Sequence, residues 1–501
     1  MNTPGVYTVE DNAFPTSVVA VATAVPVFIG YTQRAVNGVK ALTNVPWRIG
    51  SMVDYSHCFG GPPKPCFSIA EVGNPAPAAG PAPKPTDARG QSTAFSLSGR
   101  QYLLSRAAGK AGGRFLMHQS LNHFFQNGGS ACYIVSVGNY GDEVDADALV
   151  AGLEPLLQEQ EPTMVLTPDA VLLDEPGCIR VQRQVLAHCG GTMRNRVAIL
   201  DIWGGDRDRR DGTYDCIEGF RGDLGTDHLD FAAAYYPWLH TSLVQAGDID
   251  VTVFGDPSAL ASLLKTDVAL GGSPGPADWP APQRQPLHKR LMSVSPLYAR
   301  LVEEACAQMN LVPPAAAMAG IYAQVDDARG VWKAPANVSV TNVIGPAVDV
   351  SHDDQEDLNV PIDGKSINVI RRFPGQGVLV WGARTLDGNS QDWRYISVRR
   401  TVIMLEESCR LAARTMVFEP NESRTWVTLR SMISNFLTGL WKSGGLVGAK
   451  PQDAFGVRVG LGETMTAQEI QEGILRVIVR VAIIRPAEFI AITFQQQMPK
   501  P

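Results

Sequence analysis

Hydrophobic and polar positions repeat with two different periods in this chain, and its C-terminal end shows both. Val398, Val402, Leu405, Cys409, Ala412 and Met416 recur at steps of four and three, while Arg399, Arg400, Glu406, Glu407, Arg410 and Arg414 fill the other faces. This predicts an amphipathic helix. Phe418-Glu419-Pro420-Asn421 breaks it, and Asn421 is placed to cap a second helix with the stripe Trp426, Leu429, Ile433, Phe436 and Leu440, stopped by Gly444 and Gly445. A short helix is expected at Thr466 to Glu472. From Ile474 to Ile484 the period drops to two: Leu475, Val477, Val479, Val481 and Ile483 share one face, Arg476 and Arg480 the other. This predicts one long strand. After Arg485-Pro486-Ala487-Glu488 an extended piece, Phe489 to Phe494, has no local partner, and Pro4 to Glu10 poses the same problem at the other end. Unpaired strands expose donors and acceptors that recruit another chain, so both ends point to a polymer.

Upstream, Val18 to Gly30 is an apolar, β-branched run whose Pro26 suggests an edge position or a break. Periodicity fades from Gly38 to Gly112, and Gly60 to Pro85 is proline-rich, which predicts an exposed surface loop of polyproline character. A helix over Phe115 to Phe125, a strand over Ala131 to Val137, a strand at Met164 to Leu166, a helix around Cys178 to Cys189 and a strand at Val197 to Leu200 then alternate. Such alternation predicts an α/β domain with a largely parallel sheet. A second proline-rich segment, Gly271 to Pro286, is expected to be another surface excursion, and Trp332, Phe373 and Trp381 to be packing anchors.

The 501 residues suggest roughly three domains, and a net charge of −7 with pI near 5.7 argues against a general nucleic-acid binder. No run approaches a membrane span and the N-terminus lacks a signal-peptide pattern, so synthesis in the cytoplasm without direct membrane insertion is expected. The eight cysteines are scattered and read as free thiols.

Candidate chemistry is thin. No G-x-S-x-G occurs; Ser130 sits one glycine short of it, and Ser273 is followed by proline, which removes an N–H from the usual oxyanion position. His188 and Cys189 are adjacent on a helix and point apart. His118 and His123 miss the i, i+4 spacing of a helical metal pair, and arginines interleave the carboxylates of Asp206 to Asp211. No catalytic residue, cofactor or metal is therefore assigned.

Seven blocks, in order, resemble the contractile tail sheath family of phage tails, R-type pyocins and extracellular injection systems. They are Pro4 to Glu10; Phe124 to Gly129 with the strand Cys132 to Val137; Tyr235 to Trp238; Val312 to Gly320; Gly330 to Asn337; Trp381 to Thr385; and the C-terminal run ending Pro486 to Ile490. The resemblance implies a layered α/β body of subtilisin-like topology plus an α+β C-terminal sheath domain and strand arms. On it the chain is divided into an N-terminal arm (1–17), the start of the body (18–37), a variable surface insertion (38–112), the α/β body (113–345), the C-terminal sheath domain (346–486) and a C-terminal arm (487–501).

The function implied is that of a structural subunit, not an enzyme, which stacks as helical, six-fold rings around an inner tail tube and contracts to drive it through an envelope. The arms Gly5, Val6, Tyr7 and Val9, and Phe489, Ile490, Ile492 and Phe494, are expected to complete sheets in neighbouring copies. Arg424, Arg430 and Lys442 are the candidate inner-tube contact, as a local basic stripe. Baseplate and terminator proteins and paralogous sheath subunits are further implied partners, with no nucleic acid, and the product is part of a phage tail or a released injection particle. An α/β hydrolase or a self-assembling shell protein is the alternative.

Overall fold

The computed structural model describes residues 18–72, 91–107, 109–210, 212, 214–255, 257–264, 281–362 and 364–489. The chain forms two compact units: Ala22–Ala328 with Pro335–Ile396, and Met1–Val21 with Arg329–Ala334 and Ser397–Pro501. The boundary expected at 345/346 thus falls at 396/397, because the strands at 368–380 belong to the sheet of the larger unit.

That sheet has nine strands: β1 (Pro26–Thr32), β2 (Trp47–Ile49), β3 (Cys132–Asn139), β4 (Met164–Leu166), β5 (Val197–Asp201), β6 (Ala232–Tyr236), β7 (Val338–Ser339), β8 (Asn368–Phe373) and β9 (Gly377–Val380). Their order is β7-β9-β8-β6-β5-β4-β1-β3-β2. The six strands from β8 to β3 are mutually parallel, and β2, β9 and β7 close the two ends in antiparallel pairings. A parallel sheet covered on both faces needs strands apolar on both sides. Accordingly every residue of β1, β4, β5 and β6 is buried. The mixed α/β architecture agrees with the expectation. Taken in chain order, the first five parallel strands lie in the order second, first, third, fourth, fifth, the doubly wound arrangement with its switch point between β1 and β4.

Three readings are corrected. β1 is central, with β3 and β4 on either side, and Pro26 is tolerated because it opens the strand. The stretch 38–112 is not a featureless insertion: it supplies β2, and Phe67–Val72, Arg100–Arg106 and Gln91–Leu97 form a three-stranded antiparallel sheet with Arg100–Arg106 in the middle. Phe67, Phe95, Tyr102 and Leu104 of that sheet share a core with Phe254, Leu291, Tyr298, Leu301 and Val302. Of the second proline-rich segment, 281–286 opens the helix Ala281–Val294, with Pro286 inside it, and 265–280 lies outside the described residues.

In the smaller unit the helices Ile396–Arg414 and Ser423–Lys442 bury Met404, Leu405, Leu429, Met432, Ile433, Leu437 and Leu440 around Val331, with Trp332 packed at the margin. Asn421 does not cap the second helix. Its amide donates to the Ile474 carbonyl and its Oδ1 accepts from Trp426 Nε1, so the side chain ties the interhelical turn to the segment that follows. Thr466 and Glu469 cap the helix Ala467–Gln471 reciprocally. The long strand expected at 474–484 is regular only over Ile478–Val481, because its partner Phe455–Arg458 is four residues long. Trp381 and Phe373, in the larger unit, pack against each other at a tilt of 47° with centroids 4.5 Å apart.

Candidate functional site

In doubly wound sheets ligands bind beyond the carboxyl ends of the strands at the switch point, where helix N-termini offer N–H groups to anions. Here that place is filled from within. Asp169, just past β4, is fully buried, and its carboxylate accepts from the N–H groups of Tyr31 at 2.8 Å and Leu116 at 2.6 Å. It thereby caps the helix Met117–Gln126, whose N-cap Leu116 has no side-chain acceptor. The chain permits this approach only through Gly30, where a Cβ would lie 2.4 Å from Asp169 Oδ2. Asp201, at the end of β5, does the same for the helix Ala315–Arg329 by accepting from Ala315 N–H at 2.8 Å. Burial raises Asp169 to about 6 and Asp201 to about 7, opposed by these N–H donors.

The remaining candidates are not assembled for chemistry either. Ser130 is exposed, and His188 is paired with Arg196 at 3.4 Å. Burial, then the Arg196 charge, lowers His188 to about 4, while burial pushes Cys189 up to about 12. A base that is hydrogen-bonded to a cation and a thiol that resists ionisation make a poor dyad. His118 hydrogen-bonds Asn122, and His123 is fully buried. Among the described residues no group of three or more His, Cys, Asp or Glu is placed to hold a metal ion. Two of the three arginines of the 206–211 loop form ion pairs across to other elements: Arg209 with Asp215 at 2.9 Å and Asp357 at 2.6 Å, and Arg210 with Asp354. The loop is therefore pinned, not merely solvated.

The surface features lie in the smaller unit. Strand Ile478–Val481 pairs with Phe455–Arg458 on one side, and among the described residues no strand pairs with its other side. The chain then continues to Phe489, 74% exposed. Of the predicted arm residues only Phe489 is described; Gly5, Val6, Tyr7, Val9, Ile490, Ile492 and Phe494 lie outside the described residues.

On the helix Ser423–Lys442, Arg424 and Lys442 are exposed and, eighteen residues apart, lie on one face roughly 27 Å from each other. Arg430 is turned about a third of a circle away and is engaged inside the unit, donating to the Val459 carbonyl at 2.6 Å and Glu463 at 2.7 Å. Thr428, Ser431, Asn435 and Thr438 occupy the face between the two cations, so the three residues do not form a basic stripe. Sequence reasoning missed Asp169 and Asp201, whose signal is a lone acid closing or following an apolar strand. It also missed Arg458, which shares its face with Arg480 only because of a strand pairing not foreseen.

The comparisons place this architecture in a class. The phage tail sheath C-terminal domain matches residues 389–497 and the phage tail sheath central domain matches 282–386. The chain is 29% identical over 138 residues to the tail sheath protein of Vibrio phage KVP40, covering 27% of this chain and 20% of that one. To the tail sheath protein of Burkholderia phage BcepMu it is 27% identical over 158 residues, 30% of this chain and 33% of the other. It thus spans about a fifth to a third of the length of these curated relatives. Solved structures are similar along nearly the whole chain. The contracted helical sheath of the anti-feeding prophage covers 99% of this chain and 100% of its own, with 29% identity and a TM-score of 0.59. The contracted sheath complex of the extracellular injection system PVC covers 99% and 98%, with 27% identity and a TM-score of 0.58. These solved structures are of contractile sheaths. Between residues 282 and 497 the chain is similar to the central and C-terminal domains of phage tail sheath proteins.

Proposed function

We propose that this chain is the structural subunit of a contractile tail sheath, polymerising as helically stacked six-fold rings around an inner tube and shortening to drive that tube through a target envelope. The observation that carries the reading is likeness over 99% of the chain to sheaths in the contracted state. The side of Ile478–Val481 that pairs with no strand among the described residues supports a lattice joined by strand addition, with residues 1–17 and 487–501 as the linker arms. The α/β body, of the layered kind likened to subtilisin, serves as a rigid lever whose ligand crevice is occupied by its own carboxylate. The stroke needs no nucleotide; rigid units rotate between two packings while the arms hold. An inner tube protein, a baseplate, a terminator and paralogous subunits are the partners of that machine, carried on a phage tail or a released particle.

The test is negative-stain microscopy of the expressed full chain, with Ile490→Pro and Ala491→Pro beside it. Hollow tubes are expected from the parent. Each proline removes a ladder hydrogen bond worth about 0.5–1.5 kcal/mol at every subunit, so neither variant should form tubes although both stay folded and soluble. Discrete parent monomers that turn over a substrate would overturn the reading, and tubes from both variants would remove the C-terminal arm from it.

A further inference from the structure

The Phe455–Arg458/Ile478–Val481 ribbon has two unlike faces. Its register sets Gly456 opposite Arg480 and Arg458 opposite Ile478, and these four alternate with Phe455, Val457, Val479 and Val481. Phe455, Val457 and Val481 pack against the core of the smaller unit, whereas Arg458, Ile478 and Arg480 face solvent. Arg476 continues the outer row and is paired with Glu469 at 2.9 Å. Arg458 and Arg480 have no ion-pair partner among the described residues. They are diagonal neighbours, about 7–8 Å apart at the backbone and within reach of each other's long side chains. Two uncompensated like charges on one ribbon face repel, and an incoming carboxylate pair would relieve that repulsion.

The chain itself carries such a pair. On the helix His352–Asn359, Asp354 and Asp357 are engaged by Arg210, Arg209 and Arg221. Asp353 and Glu356, three residues apart and on neighbouring positions of one helix face, are exposed and have no ion-pair partner among the described residues, as does Asp349 just upstream. Directly after the helix, Val360 and Ile362 are exposed, Ile362 completely. One surface therefore offers two guanidinium groups around an isoleucine, and the other offers carboxylates beside an apolar tip.

We propose that the outer face of the ribbon docks on the Asp353/Glu356 face of the helix His352–Asn359 in a second copy of this chain. Because the two patches differ, the contact is heterologous, and repetition of such a contact builds a ring or an open helix instead of a closed dimer. It is distinct from strand addition, which uses the ribbon's edges and not its face. The proposal rests on the polymer reading above and adds to it the charge pair that sets the register between copies.

The experiment measures the fraction of full-length chain in tubes by sedimentation and microscopy at low salt, with thermal melting as a control for folding. Arg458→Glu with Arg480→Glu, and separately Asp353→Lys with Glu356→Lys, should each reduce that fraction at least tenfold. The combination of all four should restore it to within about threefold of the parent, since the reversed patches again complement each other. Arg458→Gln with Arg480→Gln should give an intermediate loss, and raising the salt should weaken assembly of the parent more than that of this neutral pair. If the parent forms no tubes, the sheath reading itself fails. If the parent forms tubes and either reversed pair assembles like it, or the fourfold variant shows no recovery, the docking proposal alone is overturned.

Discussion

The two units solve the problem of the sheet edge in opposite ways. In the larger unit the parallel strands are hidden at the centre, short antiparallel strands close both ends, and even the carboxyl-end crevice is filled by Asp169. Among the described residues the smaller unit leaves one side of a two-stranded ribbon without a pairing strand and exposes Phe418, Leu461, Val479 and Phe489. A two-stranded ribbon alone is marginal in water. One unit closes the ends of its parallel sheet within the chain; in the other, among the described residues, one side of the ribbon pairs with no strand. The difference separates residues whose loss is felt in the monomer from residues whose loss is felt only in the assembly.

The sharpest way to break that comparison is through the core of the smaller unit. If this unit has a self-sufficient core despite its two-stranded ribbon, Leu437→Ala, at a fully buried site between the two long helices, should cost about 2–5 kcal/mol in monomer stability. A melting temperature within a degree of the parent would mean that the unit is held together only by assembly. Next in size is Gly30→Ala in the larger unit, which drives a methyl group onto Asp169 and should cost about 1–3 kcal/mol. An unchanged melting curve would contradict the close approach.

A third prediction concerns Asp201. Its native value of about 7 lies above the ordinary carboxylate value, so between these two the native state binds more protons than the unfolded one. Its contribution to stability is therefore greatest at low pH and falls as pH rises toward and through about 7. Burial lowers His118, His123 and His188 to about 4, which acts in the opposite sense below the usual histidine range. The informative quantity is thus the difference between Asp201→Asn and the parent, in which the histidines cancel. The variant should gain at least about 2 °C relative to the parent between pH 5 and pH 8; a difference independent of pH would refute the raised carboxylate. The smallest effect is expected for Val479→Thr on the exposed ribbon, within about 0.5 kcal/mol of the parent as a monomer, with any loss appearing in tube formation.

Where one element carries its own periodicity, the sequence was readable. The two long helices, the capped helix at Thr466 and the apolar strands of the parallel sheet were all visible in the spacing of their residues. Elements completed from far away were not. Ser92, Ala94 and Ser96 give the strand Gln91–Leu97 an outer row too small to show alternation, and its core partners Tyr298, Leu301 and Val302 lie some two hundred residues on. Alternation overstates the extent of the C-terminal strand, because it shows which residues share a face but not how long the partner is. Asp169 was illegible for the same reason: its role depends on Gly30 and Leu116, which only the fold brings to it. Arg430 is likewise engaged by Glu463 at 2.7 Å, a residue that spacing along the helix does not reveal.

The division of the chain between the units carries a further consequence. The backbone passes from one unit to the other four times, after Val21, Ala328, Ala334 and Ile396. A protease that cuts once at Ala328 leaves two fragments, each contributing to both units: β1 to β6 remain on the first, while β7 to β9 and the two long helices remain on the second. Neither fragment carries the whole nine-stranded sheet, so the pieces stay interlocked although a denaturing gel resolves them. Against nicking, the molecule has the redundancy of a stitched seam, in which one broken thread does not part the cloth.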